Sequence, residues 1–150
     1  MLDPDISIVI PLRDEEQNVV PLHDELTGVL DQIGASYELI LVDDGSTDRT
    51  FEQLAMVQAQ DRLVKVIRFT RNFGQTAAFA AGFAEARGDY IVTLDGDLQN
   101  EPDDVPELLK LLDERPDIDV ISGWRKDRQD RTVSRKLPSA AANKIGRAHV

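Results

Sequence analysis

The chain has 150 residues, 41% of them hydrophobic, which is enough for one domain with a buried core. It contains no cysteine, so disulfides and thiolate metal sites are excluded, and no apolar run approaches the roughly 18 residues of a membrane span. The acidic N-terminus lacks the basic head of a signal peptide, and we therefore expect a cytoplasmic location.

Charge is distributed unevenly along the chain, which carries a net charge of −11. Residues 1–123 hold 9 Lys and Arg against 26 Asp and Glu, a net −17, whereas residues 124–150 carry a net +6. Because so acidic a body repels polyanions, we expect no nucleic-acid partner. Any phosphate ligand has to be bound locally, through a metal ion or through the basic tail.

Short apolar runs alternate with helical patterns along the chain. The predicted strands cover residues 6–10 (closed by Pro11), 38–42, 64–69, 90–94 and 118–121. Helical spacing predicts helices over 19–33, from about 49 onward, over 75–86 and over 105–112. This alternation predicts an α/β fold with a doubly wound, mainly parallel sheet and helices on both faces.

Carboxylates follow two of the predicted strands. Asp43 ends the second, while Asp95 and Asp97 follow the fourth. Asp95 and Asp97 point the same way about 7 Å apart on an extended chain, and Gly96 lets the backbone bend so that they converge. Since parallel strands end at one edge of a sheet, Asp43 is expected there too. Such oxygen ligands suit Mg²⁺ or Mn²⁺, although turn and capping aspartates are an alternative.

Three motifs, taken in order, make the chain resemble the family 2 glycosyltransferases across about residues 6–144. They are Ile6-Ser-Ile-Val-Ile-Pro-Leu-Arg-Asp-Glu-Glu16, Leu41-Val-Asp-Asp-Gly-Ser-Thr-Asp48 and Asp95-Gly-Asp97. Arg71-Asn-Phe-Gly74, Gly123-Trp-Arg-Lys-Asp-Arg128 and Leu137-Pro-Ser139 are most similar to the branch that loads sugars onto polyisoprenyl phosphates. Gln75 stands where that branch often has lysine or histidine.

The resemblance implies a GT-A-like fold and metal-dependent transfer of a hexosyl group from a nucleotide-diphosphate sugar to a polyisoprenyl phosphate, with inversion. It assigns the nucleotide sugar to Pro11, Leu12, Arg13, Glu15, Asp43, Arg71, Asp95 and Gly96. It assigns Mg²⁺ or Mn²⁺ to Asp95, Asp97 and Gln99, and the acceptor phosphate to Arg125, Arg135 and Ser139, with Asp97 and Arg125 as catalytic residues. Asp44, Ser46 and Asp48 are expected to serve the turn and the next helix instead.

The same resemblance implies the organisation of the chain. Residues 1–123 would form the catalytic core that binds the nucleotide sugar, and 124–144 a basic loop or helix on the acceptor side. Residues 145–150 read like a translated sequencing adapter, so we expect no natural function there. The full-length protein would work at the cytoplasmic face of a membrane.

Two other functions stay open at the level of sequence. The acceptor could be a saccharide hydroxyl, which would require a general base from beyond this chain. The domain could also be a non-catalytic module that binds a nucleotide, because a fold alone does not establish a reaction.

Overall fold

The structure is a computed structural model that describes residues 3–98 and 102–123. Its elements, in chain order, are β1 (Ile6–Leu12), α1 (Val19–Ile33), β2 (Tyr37–Asp43), α2 (Thr50–Gln60), β3 (Val64–Arg68), α3 (Gln75–Glu85), β4 (Tyr90–Thr93), a short 3-10 helix (Pro102–Asp104) and α4 (Val105–Glu114). Within these ranges, none of the helices is long and apolar enough to cross a membrane.

The described strands form one parallel sheet in the order β3-β2-β1-β4. β1 pairs with β2 over its whole length, from Ile6 opposite Tyr37 to Leu12 opposite Asp43. β2 and then β3 follow on one side of β1, and β4 lies on its other side. The predicted doubly wound, parallel α/β fold is thereby confirmed, with its topological switch between β1 and β4.

Helices cover both faces of the sheet. On one face, the even-numbered side chains of β1 pack with α1, α2 and α4, in a cluster that includes Ile8, Ile10, Leu26, Leu54 and Leu109. On the opposite face, α3 packs through Ala78 onto Val9 of β1 and onto Ile40 and Val42 of β2. The alternation of side chains along each strand therefore fills two cores at once.

Pro11 does not end the first strand, contrary to the expectation from sequence. It lies inside β1, opposite Val42 of β2. The C=O of Val9 accepts a hydrogen bond from the N–H of Leu94, so the nitrogen of Pro11, two residues on, faces the same side. β4 has already ended at Thr93, and the missing N–H of Pro11 therefore costs no strand pairing there.

The predicted fifth strand at residues 118–121 is wrong. These residues are not in a strand, and Val120 is 80% exposed. Ile118 instead closes a turn, because its N–H donates to the C=O of Arg115 while the Arg115 guanidinium binds Asp117. The N–H of Ile118 is thus used within a local turn, and within the described residues β4 remains the edge of the sheet.

A buried polar network holds the amino edge of the sheet. Ser7 donates to Glu38 Oε1 at 2.7 Å, and Lys65 Nζ lies 2.6 Å from Glu38 Oε2. The N–H groups of Arg87 and Gly88, between α3 and β4, donate to Glu38 at 2.8 Å and to the Ser7 hydroxyl at 2.8 Å. Burial opposes ionisation of Glu38, but the hydrogen bonds from Lys65, Ser7 and Arg87 hold its pKa below the usual value. This charged network fixes the point where β4 enters the sheet.

We predict that Gly82→Ala destabilises the fold. A methyl group at Gly82 would lie 2.2 Å from Cγ1 of the buried Val9, so α3 would have to move away from the sheet. Overpacking costs about 1–3 kcal/mol, and the better helix propensity of alanine offsets up to about 1 kcal/mol of this. We expect a net loss of about 1 kcal/mol or more, measured by urea unfolding.

Gly28→Ala in α1 is the matched control. Apart from the adjoining residues and the backbone of α1 itself, no described atom lies within 4 Å of the methyl group that this substitution would add. It is expected to stabilise the protein by about 0.5–1 kcal/mol. Equal effects of the two substitutions would contradict the close packing of α3 on β1.

Candidate functional site

The carboxyl ends of the four described strands lie along one edge of the sheet, as the parallel topology requires. The loops after β1 and β2 are joined there through Asp14. Its N–H donates to Ser46 Oγ at 3.0 Å, and its Oδ1 accepts the N–H of Thr47 at 2.7 Å and the N–H of Asp48 at 3.4 Å. The backbone hydrogen bond from Thr47 is the main cause that lowers the pKa of Asp14. The two loops therefore form one framework.

A cleft of about 600 Å³ opens beside this framework, between the loops that follow β2 and β3. Its walls are formed by Arg13, Gly45, Ser46, Thr47, Arg68, Phe69, Thr70, Arg71 and Asn72. Among the described residues, the guanidinium of Arg68 lies 3.9 Å from the ring centre of Phe51, and that of Arg71 lies 4.6 Å from the ring centre of Phe73. Three arginines thus converge on one cleft in an acidic protein, and such a cleft attracts anions.

Asp43 lies behind the arginine wall and is fully buried. Its Oδ1 accepts the N–H of Ser46 at 3.0 Å, whereas its Oδ2 has no hydrogen-bond partner among the described residues. Arg68 Nε is 3.8 Å from that oxygen, close enough for charge attraction but too far for a hydrogen bond. A buried carboxylate oxygen without a hydrogen bond costs free energy. A ligand N–H or O–H that displaced Arg68 would supply the missing hydrogen bond.

The aspartate pair follows β4 and rests on the end of β1. A methyl group at Gly96 would lie 2.8 Å from Cδ2 of Leu12 and 3.2 Å from the C=O of Pro11, so the turn fits closely against that strand. Gln75, the first residue of α3, donates from Nε2 to Oδ1 of Asp95 at 3.0 Å. The pair is therefore held at the same edge as Asp43 by contacts with two other elements.

The donor set of this turn suits a magnesium-type ion that arrives with a phosphate ligand. Within the described residues, no group of three or more His, Cys, Asp or Glu side chains could hold a metal by itself. Mg²⁺ is commonly bound by one or two carboxylates while phosphate oxygens and water complete its shell. Two carboxylates at the same edge of the sheet as an arginine-lined cleft fit that pattern, and Gln99, the predicted third ligand, lies outside the described residues.

The structure places the other residues predicted to bind the nucleotide sugar in different surroundings. Arg13 and Arg71 line the cleft. The Leu12 side chain is buried in the core, and its C=O accepts the N–H of Asp44. Glu15 binds the Asn18 side chain. The predicted acceptor residues Arg125, Arg135 and Ser139 lie outside the described part of the chain.

Sequence reasoning missed Arg68 and Asn72 in the cleft wall, and it noted Gln75 only as a departure from a pattern. Arg68 ends β3 at the carboxyl edge, so the position of a strand-end arginine was an available signal. The contacts of Asn72 and Gln75 depend on how α3 is placed against the sheet, and their local sequence gave no sign of them.

A parallel, doubly wound α/β sheet with an arginine-lined cleft and paired aspartates at its carboxyl edge belongs to the class of folds that bind ligands at that edge. The sequence profile of Glycosyl transferase family 2 matches residues 7–148. The chain therefore belongs to glycosyltransferase family 2.

Two curated relatives carry names of lipid-phosphate enzymes. The dodecaprenyl-phosphate galacturonate synthase of Rhizobium johnstonii is 45% identical over 93% of this chain and 41% of its own length. The undecaprenyl-phosphate 4-deoxy-4-formamido-L-arabinose transferase of Aeromonas hydrophila is 38% identical over 97% of this chain and 45% of its own length. The chain thus spans less than half of these relatives.

Solved structures show the same fold. Glucosyl-3-phosphoglycerate synthase of Mycobacterium tuberculosis, in complex with UDP, is 27% identical with a TM-score of 0.67, over 95% of this chain and 52% of that one. A mannosyltransferase from Pyrobaculum calidifontis, in complex with GDP-Man and Mn²⁺, is 20% identical with a TM-score of 0.62, over 75% of this chain and 33% of that one. The α/β nucleotide-sugar transferase fold is thereby established, and the mannosyltransferase structure shows that this fold can hold a divalent metal ion.

We predict that Gly45→Ala is far more damaging than a substitution at another left-handed glycine. Gly45 has φ +68°, and an added Cβ would lie 2.2 Å from the carbonyl carbon of Arg71 and 2.4 Å from the nitrogen of Asn72. Gly34 is the control: it has φ +74°, and beyond its chain neighbours no described atom lies within 4 Å of an added Cβ. Gly34→Ala therefore measures only the cost of a left-handed backbone conformation in alanine, about 1–2 kcal/mol. Gly45→Ala should cost at least about 2 kcal/mol more than Gly34→Ala in urea unfolding. Equal losses would show that the loop after β3 does not approach Gly45 this closely.

Proposed function

We propose that this chain is the nucleotide-sugar-binding part of a metal-dependent glycosyltransferase that transfers a hexosyl group to a polyisoprenyl phosphate, with inversion. The observation that carries the proposal is that the arginine-lined cleft and the Asp95–Asp97 pair lie at the same edge of the sheet, linked by the segment from Arg71 to Gln75. The identity of 45% to a dodecaprenyl-phosphate galacturonate synthase supports the lipid-phosphate acceptor.

The cleft suits the nucleotide of the donor. Its volume of about 600 Å³ falls within the usual range for small-molecule sites. Asp43 would accept a hydrogen bond from the base or the ribose through its unsatisfied Oδ2, which requires Arg68 to move aside. Arg13 and Arg71 supply positive charge for the diphosphate.

In the proposed reaction, most of the developing negative charge appears on the diphosphate leaving group. Asp95 and Asp97, with Gln99, would hold Mg²⁺ or Mn²⁺, and the bound ion would supply positive charge for the diphosphate leaving group. Gln75 contributes a neutral donor to Asp95, so it orients that carboxylate without adding a positive charge that would compete with the ion. Asp97 and Arg125 are the residues that we assign to the chemistry.

A phosphate acceptor makes a general base unnecessary, because it is already an anionic nucleophile. His23, the histidine of the described residues, lies away from the cleft. Its Nε2 lies 2.9 Å from Asp61 just after α2, whereas the cleft lies at the start of that helix. Arg125, Arg135 and Ser139 would bind the acceptor phosphate, and the basic stretch they belong to would face an anionic membrane surface on the cytoplasmic side.

We predict Mn²⁺-dependent binding of a nucleoside diphosphate that is lost in Asp97→Ala. Isothermal titration with UDP and with GDP, each with Mn²⁺ or with EDTA, measures the dependence. Removal of one carboxylate from a two-carboxylate set should weaken binding at least about tenfold. Asp24→Ala is the control, because Asp24 is an exposed aspartate of α1. Equal affinity with and without metal, or in Asp97→Ala, would count against the proposal.

The acceptor is tested by competition among three candidates in a full-length relative. Sugar transfer from a nucleotide sugar is measured to a short polyprenyl phosphate, to the corresponding polyprenol and to an oligosaccharide. We expect transfer to the phosphate alone, since the polyprenol lacks the anionic nucleophile. Transfer to the hydroxyl of the oligosaccharide instead would favour the other acceptor class.

Donor hydrolysis by the 150-residue chain itself would argue against a non-catalytic module.

A further inference from the structure

Asp44 holds a distant segment of the chain rather than its own turn. It follows β2 and is only 4% exposed. Its carboxylate accepts hydrogen bonds from Asn72 Nδ2 at 2.7 Å, from the N–H of Phe73 at 2.8 Å and from the N–H of Gly74 at 3.1 Å. These donors are about 30 residues away and lie just before α3, which corrects the expectation from sequence that Asp44 serves the turn after β2.

The three donors require both oxygens of a carboxylate. Oδ1 accepts the N–H of Phe73, while Oδ2 accepts Asn72 Nδ2 and the N–H of Gly74. An asparagine at position 44 would present an NH₂ group to one set of donors and could accept only the other. A buried carboxylate that accepts three N–H bonds is well satisfied, whereas the same donors without it would be left unpaired.

The segment held in this way carries the residues that border the cleft and the aspartate pair. Arg71 and Asn72 line the cleft, and their backbone passes so close to Gly45 that a side chain there would collide with it. The next residue after the segment is Gln75, which binds Asp95. Asp44 itself is not among the residues that line the cleft.

We propose that Asp44 is a positioning residue of the nucleotide site. By binding residues 72–74 it sets the place of Arg71 at the cleft and of Gln75 at Asp95, without touching the ligand itself. This inference rests on the proposed nucleotide binding. It explains why a charged side chain is buried where the turn after β2 would need only a small polar residue.

The test compares two buried carboxylates that both bind backbone N–H groups next to α3. Asp44→Asn and Asp44→Ala are made at the cleft, and Glu38→Gln is the control at the opposite edge of the sheet, where Glu38 binds the N–H of Arg87. Affinity for UDP and GDP with Mn²⁺ is measured by titration on the intact 150-residue chain, at a temperature where circular dichroism shows each variant to be folded. Hydrogen exchange at the amides of Phe73 and Gly74 is measured without ligand.

Both Asp44 variants should exchange the Phe73 and Gly74 amides faster than the wild type and bind the nucleotide about tenfold or more weakly. Glu38→Gln should lower the urea midpoint and leave both nucleotide affinity and exchange at these two amides unchanged. Faster exchange with unchanged affinity would overturn the positioning role, and so would unchanged exchange. Wild-type protein that binds neither nucleotide would instead overturn the proposed function, which separates the two failures.

Discussion

The pairing of β1 with β2 up to Leu12 and Asp43 is the constraint on which the rest of the site depends. Because the two strands end in register, the loops that follow leave the sheet side by side. Asp14 can then bind the backbone of Thr47 and Asp48. Asp14 has φ +53°, a conformation that aspartate and asparagine tolerate better than most residues, and its hydrogen bonds repay the strain. One residue type thus meets both the backbone and the hydrogen-bonding requirement.

This edge also shows how an acidic protein builds a site for anions. Asp14, Asp44 and Asp48 each accept backbone N–H groups, so their charges are offset within the framework. Arginines from the loop after β1, from the end of β3 and from the loop after β3 then face the cleft. Of the buried side-chain oxygens in the described residues, Asp43 Oδ2 remains without a hydrogen bond, directly behind Arg68. Local arrangement, and not net charge, therefore decides what this surface attracts.

The periodicity of apolar residues was sufficient for the fold class. It predicted the four observed strands and their helices, and the end of α1 at Gly34 follows from its left-handed conformation. Prediction failed at two points: Pro11 is tolerated because the neighbouring β4 ends early, and residues 118–121 follow a local turn at Arg115 without pairing with the sheet. The positions of Asp43 and the aspartate pair at one edge follow from parallel topology. The contacts of Asp44 and Gln75 do not, because they depend on the placement of α3.

That placement is itself controlled by β2. Asp44, just after the strand, binds the residues that precede α3, and Glu38, within the strand, binds the N–H of Arg87 that follows it. Between these two anchors, Gly82 brings the helix into contact with Val9 of β1. A helix fixed at both ends and at its middle has little freedom to shift. Gln75 directly follows the segment that Asp44 binds, so its hydrogen bond to Asp95 depends on this anchor at the start of the helix. Glu38 acts at the far end of α3, where it stabilises the fold without setting this contact.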